Sequence, residues 1–366
     1  LRIAPIRMNC MSAGNEQPSS SAALDATLGE LLRTLVAMRE LTRAEAAQLV
    51  EAMLAPDSAD AQIAAALALL AARGETSNEL AGFADALYRR VLPIALPSNV
   101  LDTAGTGASV AKTFNVSTAA AFVIAGAGCQ IAKHGARAAT SRSGSADVLT
   151  SLGVNIDCEQ AIAERCLTGI GLCFLFAPRY HPALARVAPI RRALGMRTSF
   201  NLVGPLVNPC RAEFRLLGVS DAARMETVAG ALALLGVRRA WVLRGGDGLD
   251  EITSSGASRV LEVSDNGTVR ELHVSPADFG LHSQPTAAAR AGSVDENAAT
   301  VREVLSGQRR DVARDLVVLN AAAALHVRTG EGLRECAARA ARSIDDGAAL
   351  GRLHELVRLT NLGAAQ

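Results

Sequence analysis

Two adjacent carboxylates, Asp250 and Glu251 in "GGDGLDEIT", are the first residues whose types invite chemistry. They follow "RAWVLRGG", which reads as a strand, so they stand in a turn at its carboxyl end. On an isolated surface such a pair would mean nothing, but three other turns accompany it. "DTAGTGASVAKTFNVST" leaves a strand through Gly105 and Gly107 and places Asn115, Ser117 and Thr118 where a helix should begin. Glycines let backbone N–H groups approach an anion, and a helix N-terminus adds unpaired N–H groups and a positive dipole end. Taken alone, that turn reads more readily as a tight bend with helix caps. However, "AKHGAR" sets Lys133, His134 and Arg137 at the end of the next strand, and "TSRSGSADVL" adds Ser141, Ser143, Gly144 and Ser145 before another helix. A polyphosphate ligand accounts for all three turns together. The carboxylate pair beside them then fits Mg²⁺, a hard cation that keeps several waters and joins protein carboxylates to substrate phosphates.

These turns need a scaffold, and the sequence describes one. From Val100 on, the apolar runs "VLDTAG", "CQIAKHG", "GLCFLFAP", "RLLGVS", "RAWVLRGG" and "RVLEVS" read as strands, with helical patterns such as "STAAAFVIAGAG" and "METVAGALALLG" between them. Alternation of this kind predicts an α/β fold with a largely parallel sheet covered on both faces. Ligands of such sheets sit beyond the carboxyl ends of the strands, where all four turns fall. Ahead of the sheet, residues 23–96 read as a small helical domain. Thr42 with Glu45 forms a capping box, and Gly74 followed by Glu75, Thr76 and Ser77 closes one helix and opens the next. Residues 97–366 read as the larger α/β domain, ending in helices from about Asp295 to Asn361, and residues 1–22 as a disordered polar leader.

Composition narrows the function classes. In 366 residues, 37 Lys and Arg balance 36 Asp and Glu, so no general field draws in nucleic acid or anionic lipid and any bound anion needs a local site. The longest apolar run, "AAAFVIAGAGCQIA", is too short and glycine-broken to span a bilayer, and no signal peptide fits the first residues. Seven cysteines without a CxxC pair read as reduced thiols of a cytoplasmic protein.

The ordered set "GTG…TFNVST", "KHG.R", "SGSADVL", "FLFAPRYHPALARVAPIRRALGMRTSFNLVGPLVNP" and "GGDGLDEIT", behind the helical "LTRAEA…GET" segment, resembles the anthranilate phosphoribosyltransferase family. The resemblance runs from about Leu24 to Asn361. Pyrimidine nucleoside phosphorylases share the fold and a glycine-rich turn but lack the "FNLVGPL.NP" block. Membership implies a homodimer formed through the helical domain, with a hinge segment near 181–197, and transfer of a phosphoribosyl group from phosphoribosyl pyrophosphate to the amine of anthranilate. Carried over by motif, Gly105, Gly107, Thr113, Asn115, Ser117, Thr118, Lys133 and Ser145 would hold the phosphoribosyl pyrophosphate, and Ser117, Asp250 and Glu251 the magnesium. Gly105, His134, His181 and Arg191 would meet the aromatic amine, Arg191 pairing its carboxylate.

Two motifs depart from the family. Its GTGGD turn reads Gly105-Thr106-Gly107-Ala108-Ser109 here, which adds a Cβ near the ligand and removes a carboxylate. Its KHGNR reads Lys133-His134-Gly135-Ala136-Arg137, where alanine offers no side-chain hydrogen bond. Three readings follow: an anthranilate enzyme that tolerates the changes, a paralogue with another aromatic or heteroaromatic amine acceptor, and a binding protein without catalysis. Retention of Lys133, Asp250, Glu251 and Arg191 argues against the third.

Overall fold

The structure, a computed structural model, describes residues 20–107, 113–138 and 143–362. Ala108, Ser109 and Ser141 therefore lie outside the described residues, as do residues 1–19. Helix α1 (Ser20–Val36) begins inside the stretch expected to be leader. It is followed by α2 (Arg43–Met53), α3 (Asp60–Arg73) and α4 (Ser77–Arg90). Both expected helix starts are built as the sequence implies. Thr42 and Thr76 each accept from the backbone N–H three residues on, and Glu45 and Glu79 reach back to the cap. Gly74, at φ 94°, ends α3 in a conformation that side chains disfavour.

The second part of the chain then alternates. β1 (Leu101–Gly105), α5 (Val116–Gly126), β2 (Ile131–Gly135), α6 (Ser145–Ser151), α7 (Gln160–Ile170) and β3 (Leu172–Phe176) come first. Three short helices, α8 (Ala177–Tyr180), α9 (Ala188–Leu194) and α10 (Ser199–Val203), lead to β4 (Phe214–Gly218), α11 (Met225–Leu234) and β5 (Arg239–Gly245). β6 (Ser258–Ser264) and β7 (Val269–Val274) precede the closing helices α12 (Val294–Leu305), α13 (Val312–Thr329), α14 (Leu333–Asp345) and α15 (Ala348–Thr360).

The seven strands form one sheet in the order β3-β2-β1-β4-β5-β6-β7. The first five are mutually parallel, and β6 and β7 add antiparallel pairs at one edge. β7 is a strand the apolar pattern does not announce: "VRELHV" is mostly exposed, as suits an outer edge, and Arg270 pairs with Glu262 of β6 at 2.8 Å.

Alternation within each strand sends side chains to two separate cores. Leu216 and Leu243 join α5 and α13 on one face, and α5, apolar on all sides, is buried over nearly its whole length. Leu217 and Val242 face the other way, into a core shared with α11 and helices α1–α4. The 182–207 segment belongs to this second core, where Val187, Ile190, Phe200 and Leu206 pack with Phe83, Leu87 and Tyr88. No helix among the described residues is long and apolar enough to cross a membrane. The six cysteines among them, Cys129, Cys158, Cys166, Cys173, Cys210 and Cys336, are buried and unpaired.

Candidate active site

The carboxyl ends of β1, β2 and β5 open into one cavity of about 400 Å³, lined by Gly105, Gly107, Thr113, Asn115, Ser117, Thr118, Lys133, His134, Ser145, Asp250 and Glu251. Eleven of the thirteen residues that the family motifs carry over thus meet, and His181 and Arg191 stand behind the wall.

Asp250 explains two of the strand-end glycines. A Cβ on Gly105 would lie 2.6 Å from Asp250 Oδ2, and one on Gly218 would overlap the Asp250 carbonyl oxygen. Only bare backbone leaves this carboxylate its place between the ends of β1 and β4. Gly107, at φ 66°, turns its N–H to donate to Asp250 Oδ2 at 3.0 Å.

Glu251 is buried beside it. Thr113 Oγ1 donates to Glu251 Oε2 at 2.8 Å and the Ser117 backbone N–H also donates to the carboxyl. Desolvation first, then the Asp250 charge, push the Glu251 pKa up to about 8. Lys133, also buried, donates to Thr103 O at 2.6 Å and to Ser117 Oγ at 3.3 Å. Burial draws its pKa down to about 8, against the pull of Asp102 and Glu251.

This donor set fits a hard divalent cation. It consists of oxygen ligands, and the burial and Asp250 charge that raise the Glu251 pKa are costs of holding its carboxylate ionised that a nearby cation would offset. Among the described residues no group of three or more His, Cys, Asp or Glu could hold a metal unaided. Two carboxylates and a hydroxyl suit an ion that keeps waters and shares oxygens with a substrate.

The first turn of α5 is not capped as its sequence suggests. Asn115 occupies the cap position without a side-chain cap bond, and its Oδ1 accepts from Ser143 Oγ at 2.8 Å and from Asn297 Nδ2 at 3.4 Å. Ser117 Oγ is taken by Lys133, and the buried Thr118 Oγ1 has no hydrogen-bond partner among the described residues. The reading of these hydroxyls as mere caps therefore fails, because none of them bonds the helix end.

His134 Nε2 is buried and unpartnered too. Burial first, then the neighbouring His181, Arg215 and Lys133, hold its pKa well below the ordinary value, so the ring is neutral. His181 lies 5.2 Å away, ring to ring, with Nε2 2.9 Å from the Val207 carbonyl, so it backs His134 from outside the cavity. Arg191 on α9 stacks 5.3 Å from the Phe200 ring and donates to Asn201 Oδ1 at 3.4 Å. Asn201 itself lines the cavity, as do Ala136, Gly204 and Pro205.

Composition and spacing missed three residues. Asp102, within β1, is buried, accepts from the His134 N–H at 3.2 Å, and leaves Oδ2 without a partner among the described residues; burial raises its pKa. A charged residue inside the apolar "VLDTAG" was the available signal. Asn208, in the "GPLVNP" stretch, donates to the Ala132 carbonyl at 2.7 Å and so ties that motif to β2. Arg197 donates to the Thr106 and Gly107 carbonyls at 3.1 Å each and to Ser220 Oγ at 3.1 Å.

Similarity to known proteins agrees with this geometry. Residues 97–350 match the model of the glycosyl transferase family a/b domain and residues 29–91 that of the glycosyl transferase family helical bundle domain. The chain is 47% identical over 339 residues to an anthranilate phosphoribosyltransferase of Thermomicrobium roseum, covering 91% of this chain and 97% of the relative. It is 43% identical to that of Herpetosiphon aurantiacus over 329 residues, 90% of this chain and 97% of the relative. Among solved structures, the Thermus thermophilus anthranilate phosphoribosyltransferase superposes with a TM-score of 0.84 at 35% identity, covering 90% of this chain and 99% of the other. The Saccharomyces cerevisiae enzyme in complex with PRPP and Mg also gives 0.84, at 27% identity, covering 92% and 98%. Matched along nearly its whole described length, in both the helical and the α/β part, the chain belongs to the anthranilate phosphoribosyltransferase family.

Proposed function

We propose that this protein transfers the 5-phosphoribosyl group of phosphoribosyl pyrophosphate to the amine of anthranilate, with release of pyrophosphate, as a step of tryptophan biosynthesis. The observation that carries this reading is the convergence of two strand-end connections, β1–α5 and β2–α6, the latter holding both the Lys133–Arg137 and the Ser143–Ser145 stretches, with the Asp250–Glu251 pair after β5 on one cavity of about 400 Å³. The pyrophosphate lies against the turns bearing Gly105, Gly107, Asn115, Ser117 and Thr118, with Lys133 and Ser145 nearby. Asp250, Glu251 and Ser117 would hold magnesium, which when bound would supply neutralising charge to the departing diphosphate.

The chain's own residues act mainly by charge and placement. As the C1–O bond breaks, negative charge grows on the pyrophosphate, and the Lys133 ammonium and the N–H groups at the start of α5 stabilise it. Lys133, with its pKa near 8, is largely protonated at neutral pH. No strong base is needed, because an aromatic amine is already neutral and nucleophilic. Neutral His134 offers, at the cavity wall, an Nε2 without a partner among the described residues for orienting it. Arg191, one hydrogen bond behind cavity-lining Asn201, pairs the acceptor's carboxylate when the wall closes, as the planar guanidinium fork allows. A Saccharomyces cerevisiae relative was solved in complex with 4-fluoroanthranilate, which supports an aromatic amino acid in that place.

The protein works as a cytoplasmic homodimer. Val36 and Met38, 67% and 54% exposed at the end of α1, support a subunit contact through the helical part, and six buried unpaired cysteines suit a reducing compartment. The test is consumption of phosphoribosyl pyrophosphate with a panel of aromatic amines in magnesium. Turnover with anthranilate above all others is expected. Preference for another amine would assign the paralogue reading, to which Ala136 in the cavity wall lends its one observation. Tight donor binding without any turnover would leave a binding protein.

A further inference from the structure

Arg197 is an exposed arginine that forms no ion pair among the described residues, yet both terminal nitrogens of its guanidinium donate hydrogen bonds. Nη2 donates to the carbonyls of both Thr106 and Gly107, and Nη1 to Ser220 Oγ, each at 3.1 Å. All three acceptors belong to the strand-end turns beside the cavity. Ser220 is in turn bound to the same turn, its N–H donating to Thr106 Oγ1 at 3.1 Å.

Arg197 is also held from both sides. Gly195, at φ 61°, ends α9 just before it, and Thr198 opens α10 just after it, its N–H donating to Asn201 Oδ1 at 3.0 Å. The arginine is thus fixed by the segment that carries Arg191 and Asn201, while its charge is spent on the glycine turn some 90 residues earlier.

The peptide plane gives this contact a consequence. In a trans peptide the carbonyl of Thr106 and the N–H of Gly107 point in opposite directions. With the carbonyl drawn to Arg197, the Gly107 N–H is directed to the cavity-lining Asp250. The two carbonyl oxygens, which would repel the oxygens of a phosphate, are at the same time turned away and neutralised by a cation.

We infer that Arg197 is a positioning residue for the donor. It sets the peptide orientation of the Thr106–Gly107 turn from the acceptor-side segment and raises affinity for phosphoribosyl pyrophosphate without touching it. This rests on the reading of the cavity as the phosphoribosyl pyrophosphate site, and the experiment separates the two.

Binding of phosphoribosyl pyrophosphate in magnesium is measured by calorimetry for wild type, R197A and R197K, alongside kcat, both KM values and melting temperature. R197A is expected to weaken donor binding about tenfold, the effect of losing charge-assisted hydrogen bonds. The donor KM should rise with it, the acceptor KM and melting temperature should hardly move, and R197K should recover part of the loss. Equal donor affinity in wild type and R197A overturns the inference. So does a loss that follows a fall in melting temperature and is equal in R197A and R197K, since that marks a merely structural arginine. Wild type that binds the donor but turns over no amine defeats the functional reading while the binding comparison still decides on Arg197. Wild type that does not bind the donor defeats both.

Discussion

Two cavities of nearly equal volume, about 400 Å³ and 410 Å³, lie at opposite ends of the parallel strands. The second, at the amino ends of β4 and β5, is lined by Phe214, Arg238, Arg239, Arg328 and Asp265, and by charge alone looks the better anion site. Its cations are already engaged, however. Arg328 and Arg238 lie 4.5 and 5.5 Å from the Phe214 ring centre, and Arg239 reaches the His326 and Val327 carbonyls that end α13. In the first cavity the position is reversed. Among the described residues Thr118 Oγ1 and His134 Nε2 are buried without partners, and Glu251 is held far from its ordinary pKa. Groups that the protein alone leaves unsatisfied mark a ligand site better than volume or net charge does.

The comparison breaks most visibly at the carboxylates. Replacing both, as Asp250→Asn with Glu251→Gln, should cost about 4 kcal/mol of phosphoribosyl pyrophosphate affinity in magnesium, the scale of two lost charged interactions. Without magnesium the cost should shrink or reverse, because the carboxylates then only repel the diphosphate. Calorimetry with and without the metal checks this, and equal affinities in magnesium would remove the metal from the cavity.

Arg191 should have the next largest effect. Arg191→Ala is expected to lose about 2 to 3 kcal/mol of acceptor affinity, with donor binding nearly unchanged. Aniline, which has no carboxylate, should be indifferent to the change. Equal losses for aniline and anthranilate in KM measurements would make Arg191 a structural partner of Phe200 and Asn201 only.

How much of this was readable beforehand follows from the range of the interactions. The capping boxes of α2 and α4 join residues three apart, and the strand-end turns are each continuous in sequence, so both were legible. The Asp250–Glu251 pair was legible because its members are neighbours. The contacts that give it meaning join residues far apart: Thr113 and Glu251 are 138 positions distant, Arg197 and Gly107 90. No local pattern announces them. β7 escaped for a different reason: in this edge strand only Leu272 and Val274 turn inward and the other four positions of "VRELHV" are exposed, too short a buried pattern to read as alternation. The cap reading of Ser117 and Thr118 failed because Lys133 and burial, both tertiary facts, decide what those hydroxyls meet.

A third prediction uses the neutral histidine, which has no counterpart in the second cavity. An unfolded histidine takes up a proton near pH 6.5, whereas folded His134 does not until well below that. As pH falls below about 6.5 the unfolded state binds more protons, so stability is lost toward acid, by up to about 1.4 kcal/mol per pH unit for one such group. Denaturant melts of wild type and His134→Gln between pH 7.5 and 5.5 should diverge in this direction, other groups cancelling in the difference. Parallel curves would mean that the ring titrates in the folded protein as it does unfolded, and a ring kept neutral by burial would go with them.

The smallest effect is expected at the far cavity, and it tests the comparison from the other side. Arg328 is the least committed of its three arginines: it stacks on Phe214 but forms no ion pair among the described residues. Arg328→Ala should cost about 0.5 to 1 kcal/mol of stability, the worth of one cation–π contact near the surface. Both KM values and kcat should stay as in wild type, because nothing in this cavity reaches the carboxyl ends of the strands. Phosphate or pyrophosphate should raise the melting temperature of wild type and variant equally, since the anion is taken up by the first cavity. If the variant loses part of that rise, the arginines hold an anion in spite of their ring and carbonyl contacts. Unsatisfied buried groups would then be a sufficient sign of a site in this fold, but not a necessary one.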